Sequence, residues 1–165
     1  MAKDKILKIL KKTPIGTKLY SSAFGKTKFN GVYHFFDEEK IKLLTKEGVI
    51  LYLPSGKYKE DGEVTLYPSK FMRNWDKFAW KTGDVLRDNS DKIMVLFEKF
   101  TDDTYTEFIG KYFCKKAIIA SDERKILKTK DYLISTEFIK EYIYLIEKVF
   151  GGKLDRRTLT ISNSD

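Results

Sequence analysis

Between residues 15 and 119 the apolar side chains of this chain recur at every second position, in short runs broken by turn-forming residues. In an extended chain successive side chains point to opposite faces, so a period of two over that length commits most of the chain to half-buried strands. The first runs are residues 18–20, 29–36, 40–45, 49–53, 57–59 and 64–67. The breaks between them, Phe24-Gly25, Asp37-Glu38-Glu39, Lys46-Glu47-Gly48, Pro54-Ser55-Gly56 and Asp61-Gly62, supply the positive φ or side-chain caps that chain reversals need. Strands this short and few do not make a large sandwich. They predict a small curled barrel or bent sheet of the SH3 or OB kind.

The pattern stops at residues 66–80 and restarts after them. That stretch holds both tryptophans, Trp75 and Trp80. Pro68 lacks an amide proton and ends a strand, and Ser69 can cap a helix behind it. Phe71, Trp75 and Phe78 then fall on one helical stripe, with Lys70, Arg73, Asn74 and Lys77 opposite. This reads as a connector helix between two β-units; a basic surface rimmed by aromatics is its functional alternative. Beyond it, residues 85–87, the run 92–100, residues 105–109 and residues 112–119 predict a second β-unit, with a turn at Ser121-Asp122-Glu123. Residues 93–97, Ile-Met-Val-Leu-Phe, are apolar at every position, which predicts a strand covered on both faces. Gly16-Thr17-Lys18-Leu19 and Gly83-Asp84-Val85-Leu86 open the two halves alike, a match too short to establish a repeat.

Helical spacing marks the two ends. Residues 2–12 place Ile6, Leu7, Ile9 and Leu10 on one side of a helix with lysines around the rest. It suits a terminal helix docked on the core or on another subunit, or alternatively a basic helix for membrane or nucleic acid. At the other end Ser135 is the expected cap and Phe138, Ile139, Tyr142, Leu145, Ile146 and Val149 form one face. Gly151-Gly152 stops the helix, an edge strand at 159–161 follows, and residues 162–165 are a polar tail. The expected fold is α+β and β-rich: two small bent-sheet or SH3/OB-like barrel units joined by a short aromatic helix, with helices at both termini. Its segments are 1–13, 14–68, 69–80, 81–120 and 121–165.

The 165 residues, 42% hydrophobic, suffice for one ordinary domain or two small modules. Lysine and arginine number 32 against 24 acids, a net charge of +8, which favours anionic partners: nucleic acid, nucleotides, acidic proteins or lipid surfaces. A single cysteine, Cys114, excludes an internal disulfide, and with His34 as the only histidine there is no Cys/His set for zinc. No membrane span or secretory signal is legible, so a cytoplasmic protein is expected.

The segments Leu66-Tyr67-Pro68-Ser69-Lys70, Arg73-Asn74-Trp75, Lys81-Thr82-Gly83-Asp84, Ile134-Ser135-Thr136-Glu137, Gly151-Gly152 and Leu154-Asp155 resemble those of a loose group of uncharacterised small β-rich proteins of gut bacteria and their phages. The resemblance implies a phage or mobile-element origin. It brings no activity and no catalytic residue with it.

Chemistry is narrowed by elimination. His34, in Val32-Tyr33-His34-Phe35-Phe36, is placed by alternation opposite Tyr33 and Phe35 and reads as structural; without a Gly-x-Ser-x-Gly elbow it has no triad to join. Cys114 beside Lys115 and Lys116 reads as a strand cysteine. The acidic pairs at 37–39, 60–61, 102–103 and 122–123 fall in expected turns, and no phosphate loop or dinucleotide fingerprint is present. Basic and aromatic residues interleave instead, at Lys18-Leu19-Tyr20, Phe24-Gly25-Lys26, Lys57-Tyr58-Lys59, Arg73-Asn74-Trp75 and Lys77-Phe78. An aromatic face stacks a base while a cation neutralises phosphate. Soluble edge strands show the same composition. The expectation is a non-catalytic, cofactor-free binder of an anionic nucleotide-type ligand, either a single-stranded nucleic acid or a small linear or cyclic nucleotide. Its candidate residues are Lys26, Lys28, Lys57, Tyr58, Lys59, Arg73 and Lys77. A phage accessory or anti-defence role follows from the resemblance. The alternative is a module that binds and inhibits a host protein, and a homo-oligomer fits either.

Overall fold

The structure, a computed structural model, describes residues 4–90, 92–114 and 119–162. Ala2, Lys3, Asp91, Lys115, Lys116 and the tail at 163–165 lie outside the described residues, as do the side chains of Cys114 and of residues 119–123. The fold is α+β and β-rich, with two five-stranded antiparallel sheets. The chain divides into two compact units, Met1–Ala79 and Trp80–Asp165.

The first unit opens with α1 (Lys5–Lys11) and continues through β1 (Lys18–Ser21), β2 (Gly25–Phe35), β3 (Glu38–Thr45), β4 (Gly48–Tyr52) and β5 (Leu66–Tyr67) to α2 (Trp75–Phe78). Its sheet runs β4-β3-β2-β1-β5, so the first strand lies between the second and the fifth, the order of an SH3-type half-barrel. The expected strand at 57–59 reduces to one bridge, Lys57 with Val64, within a connection where Gly56 and Asp61-Gly62 keep turning the chain. Inward-facing Leu19, Phe29, Ile41, Leu43, Tyr52 and Leu66 make the core, and α1 adds Ile6, Leu7 and Leu10 to it. With its apolar side consumed there, α1 has none left for a bilayer. Three of its lysines meet acids: Lys5 with Asp76 at 2.6 Å, Lys8 with Asp4 at 3.7 Å and Lys11 with Glu39 at 2.9 Å.

The connector helix is shorter than its stripe predicts. Ser69 Oγ accepts from the Met72 amide, closing a separate turn, and the cap is Asn74, whose Oδ1 accepts from the amides of Asp76 and Lys77. Phe71 falls outside the helix and is exposed, so the stripe comprises Trp75 and Phe78, their rings 5.3 Å apart. Trp75 is buried in the first unit's core, where its indole N–H donates to the Leu66 carbonyl.

The second unit contains β6 (Val85–Asp88), β7 (Ile93–Phe100), β8 (Glu107–Cys114), β9 (Ile119–Lys128), a 3-10 turn at Thr129–Asp131, β10 (Tyr132–Ile134), α3 (Ile139–Phe150), and the hairpin of β11 (Lys153–Asp155) and β12 (Thr160–Ser162). The sheet order β10-β6-β7-β8-β9 again puts the first strand between second and fifth. Four expectations are corrected. Ser121-Asp122-Glu123 lies within β9 and not in a turn, although the register with β8 shifts there, Lys111 pairing with Arg124 and Phe113 with Ala120; Cys114 of β8 pairs with Ile119, so residues 112–119 are not one strand. Ser135 is no helix cap: its amide donates to the Val85 carbonyl, which extends the β10 pairing, and Phe138 occupies the cap position without a side-chain bond. The last strand pairs in a separate hairpin rather than on a sheet edge.

Backbone bonding superposes the two sheets residue on residue. Gly16 (φ 97°) donates to Phe29 O and Phe29 donates to Thr17 O; Gly83 (φ 96°) donates to Phe97 O and Phe97 donates to Asp84 O. With Phe29 laid on Phe97, the pairs Lys18 with Lys28 and Leu19 with Thr27 coincide with Val85 with Leu96 and Leu86 with Val95. A register shift follows that phenylalanine in both sheets. Ser21 and Asp88, also equivalent, each accept two amides from the turn that follows. The short glycine motif therefore marks one architecture used twice.

Candidate functional site

The pairing of the first sheet fixes which side chains share its outer face. Leu19, Thr27, Phe29, Ile41, Leu43 and Leu66 are buried inward, so the residues alternating with them face out. Tyr67, Tyr20 and Lys26 form one cross-strand row, and Lys18, Lys28, Leu44 and Val49 form the next. Past the bulge, which lets β2 bend, Lys42 of β3 follows, then Tyr33 opposite Lys40 and Phe35 opposite Glu38. In these rows lysines outnumber carboxylates, and Glu38 is the carboxylate among them.

Arg73 completes the first row. Its guanidinium carbon lies 4.7 Å from the Tyr67 ring centroid, and its Nε donates to the Lys70 carbonyl. The ring is held in turn by its hydroxyl, which donates to Val64 O at 2.8 Å. The turn closed by Ser69 carries Arg73 back over the strand that precedes it. The result is a line of Lys26, Tyr20, Tyr67 and Arg73, with cations at both ends of two phenol rings. A flat guanidinium stacked on a ring retains in-plane donors for an anion.

Lys26, Lys28 and Arg73 thus come together on one face. Lys57 lies in the 53–65 connection, its backbone bridged to Val64, the residue that anchors Tyr67. Lys59 follows it in a turn. Tyr58 is 41% exposed, and its ring packs 4.9 Å from Phe24 and 5.5 Å from Tyr52, over the buried network in which the Tyr52 hydroxyl meets Ser21 and Thr65. That contact secures the connection to the β1–β2 turn. Lys77 is half-buried on α2. Tyr20, Tyr67, Lys18, Lys40 and Lys42 join the face through strand register, which spacing along the chain does not display.

The far end of the face is aromatic. Tyr33 and Phe35 are 40% and 55% exposed and nearly parallel, with 15° between ring planes and 6.4 Å between centroids. Phe36, in the β2–β3 turn at φ 54°, is 90% exposed and meets Phe35 edge-on at 4.5 Å. His34 lies on the opposite face, as alternation predicts, and is exposed, with its Nδ1 3.6 Å from Glu39 Oε2. Cys114 ends β8. Among the described residues no group of three or more His, Cys, Asp or Glu side chains is placed to hold a metal, and no helix is long and apolar enough to cross a membrane.

No protein-family model matches the chain, and neither a curated protein nor a solved structure is found similar to it.

Proposed function

We propose that the first unit is a non-catalytic binding module for an anionic nucleotide-type ligand, held on the outer face of its sheet. The observation carrying this reading is the line Lys26, Tyr20, Tyr67, Arg73, in which stacking surfaces and phosphate-neutralising cations are built from three strands and one turn. A base stacks on a phenol or guanidinium plane, and the lysines take the phosphate. The net charge of +8 supports the same ligand class. With the resemblance to phage-borne proteins, the reading extends to an accessory or anti-defence factor that captures such a ligand in the cytoplasm.

A second reading, capture of a host protein, is favoured by the exposed Tyr33, Phe35 and Phe36, since exposed aromatics are frequent anchors of protein interfaces.

Binding of labelled oligonucleotides and of linear and cyclic nucleotides, followed by fluorescence anisotropy at about 50 and about 200 mM salt, tests the first reading. Affinity should fall with salt. The Lys26→Ala/Lys28→Ala/Arg73→Ala variant should lose about tenfold or more while its circular dichroism is unchanged, because exposed cations contribute little to stability. Binding that the variant keeps in full, or no binding to any probe, overturns it.

A further inference from the structure

We infer that the ligand of this face is a single-stranded polynucleotide, and that Tyr33 and Phe35 are its distal base-stacking platform. This rests on the reading of the outer face as a nucleotide site and specifies its substrate. The basis is the layout of β2. Lys26 and Lys28 lie on the same face of one strand as Tyr33 and Phe35, joined through a bulge that Lys42 borders and Lys40 follows. Phe35 lies nine residues along β2 from Lys26, a reach of at most roughly 30 Å at about 3.3 Å per residue. A single nucleotide occupies only a fraction of that length. A single strand rising about 3.4 Å per phosphate when stacked, and more when stretched, covers it with roughly five to nine nucleotides.

The chemistry alternates along the strip as such a strand requires. Cations at Lys26, Lys28, Lys18, Lys40 and Lys42 track a backbone, while the Tyr20/Tyr67/Arg73 group at one end and the Tyr33/Phe35 pair at the other offer planes for bases. Base stacking and phosphate neutralisation both tolerate any sequence, so preference among bases should be slight. Glu38, opposite Phe35, sets the end of the cationic track.

The test is a length series of oligothymidylate and oligouridylate from one to twelve nucleotides, bound to the parent protein and to Tyr33→Ala/Phe35→Ala. Affinity for the parent should climb with length and level off at roughly five to nine nucleotides. The double variant, exposed at both positions and so expected to stay folded with an unchanged circular dichroism spectrum, should bind the long oligomers about tenfold or more weakly. A parent that binds a mononucleotide as tightly as a long oligomer overturns this inference and leaves the nucleotide face standing. Unchanged long-oligomer binding by the double variant also overturns it and assigns the tip aromatics to a protein partner. A parent that binds no probe of any length overturns the nucleotide face itself.

Discussion

The two sheets share strand order, starting glycine and bulge, yet their outer faces have opposite fates. Where the first unit shows Lys18, Lys28 and Lys26 to solvent, the equivalent Val85, Leu96 and Met94 of the second are buried under Tyr142 and Ile146 of α3 and Leu159 of the terminal hairpin. Gly83 shows how close that cover comes. A Cβ there would meet the Arg156 carbonyl at 2.8 Å, and Arg156 donates twice to the Gly83 carbonyl. The same construction at Gly16 meets nothing within 4 Å. One architecture thus serves once as a packed scaffold and once as a presented surface. Leaving a polar face exposed costs little, whereas the apolar one must be covered, so the second unit carries a long helix after its sheet and the first does not.

The largest effect on this contrast comes from removing the cover. Tyr142 is fully buried, packs 6.0 Å from Phe113, and donates its hydroxyl to the Lys111 carbonyl. Tyr142→Ala should cost the second unit about 3–5 kcal/mol, because a large buried ring leaves a cavity that the strands cannot close. Trp80 belongs to that unit's inner core and Trp75 to the first unit's, so fluorescence of Trp75→Phe and Trp80→Phe backgrounds reports each unit separately. Urea unfolding followed by Trp80 should shift to lower denaturant in Tyr142→Ala, and that followed by Trp75 should not. An unshifted Trp80 transition would mean that the helix contributes no cover.

The contrast was largely legible in the residues. Unbroken apolar character at 93–97 against alternation with lysine at 26–29 is the difference between a strand covered twice and a strand covered once. What lay hidden is whatever register decides. Tyr20 and Tyr67 are distant in sequence and become neighbours only because β5 pairs with β1. Ser121-Asp122-Glu123 suggests a turn, yet these residues lie within edge strand β9, where its register with β8 shifts. The aromatic stripe from Phe71 overstated a helix because Ser69 and Asn74 each satisfy local amides, and the second cap takes the helix start.

A smaller effect, confined to the second unit, is expected at high pH. Burial, with help from neighbouring Tyr112, Asp88 and Asp131, raises the Tyr132 phenol from 10.0 to about 12, and burial also raises Tyr142. A folded-state pKa above the unfolded value means that the neutral phenol is the form the fold prefers. Its contribution is complete below pH 10 and is lost as pH rises towards 12. Stability reported by Trp80 should therefore decline across that window, and Tyr132→Phe, which keeps the ring and removes the ionisation, should flatten the decline. An identical slope in the variant would assign the loss to other groups.

The smallest effect tests the residue equivalence itself. Thr27 and Val95 occupy the same inward position, each paired with the leucine that is second in its strand, Leu19 or Leu86. The two side chains have nearly the same shape and differ by a hydroxyl for a methyl. Val95 is fully buried among aromatic neighbours, whereas the buried Thr27 Oγ1 has no hydrogen-bond partner among the described residues. An unpaired hydroxyl in an apolar core carries its desolvation cost without return. Thr27→Val, which copies the second unit's solution into the first, should raise the stability reported by Trp75 by about 1 kcal/mol, and a β-branched residue keeps the strand preference intact. The outward Lys26 and Lys28 flank the site on the other face, so oligonucleotide affinity should be unchanged. A destabilised variant would mean that the hydroxyl has a partner in solution and that the two inner faces are less alike than their pairing makes them. A stabilised variant that loses affinity would couple the inner packing of the strand to the ligand face it supports.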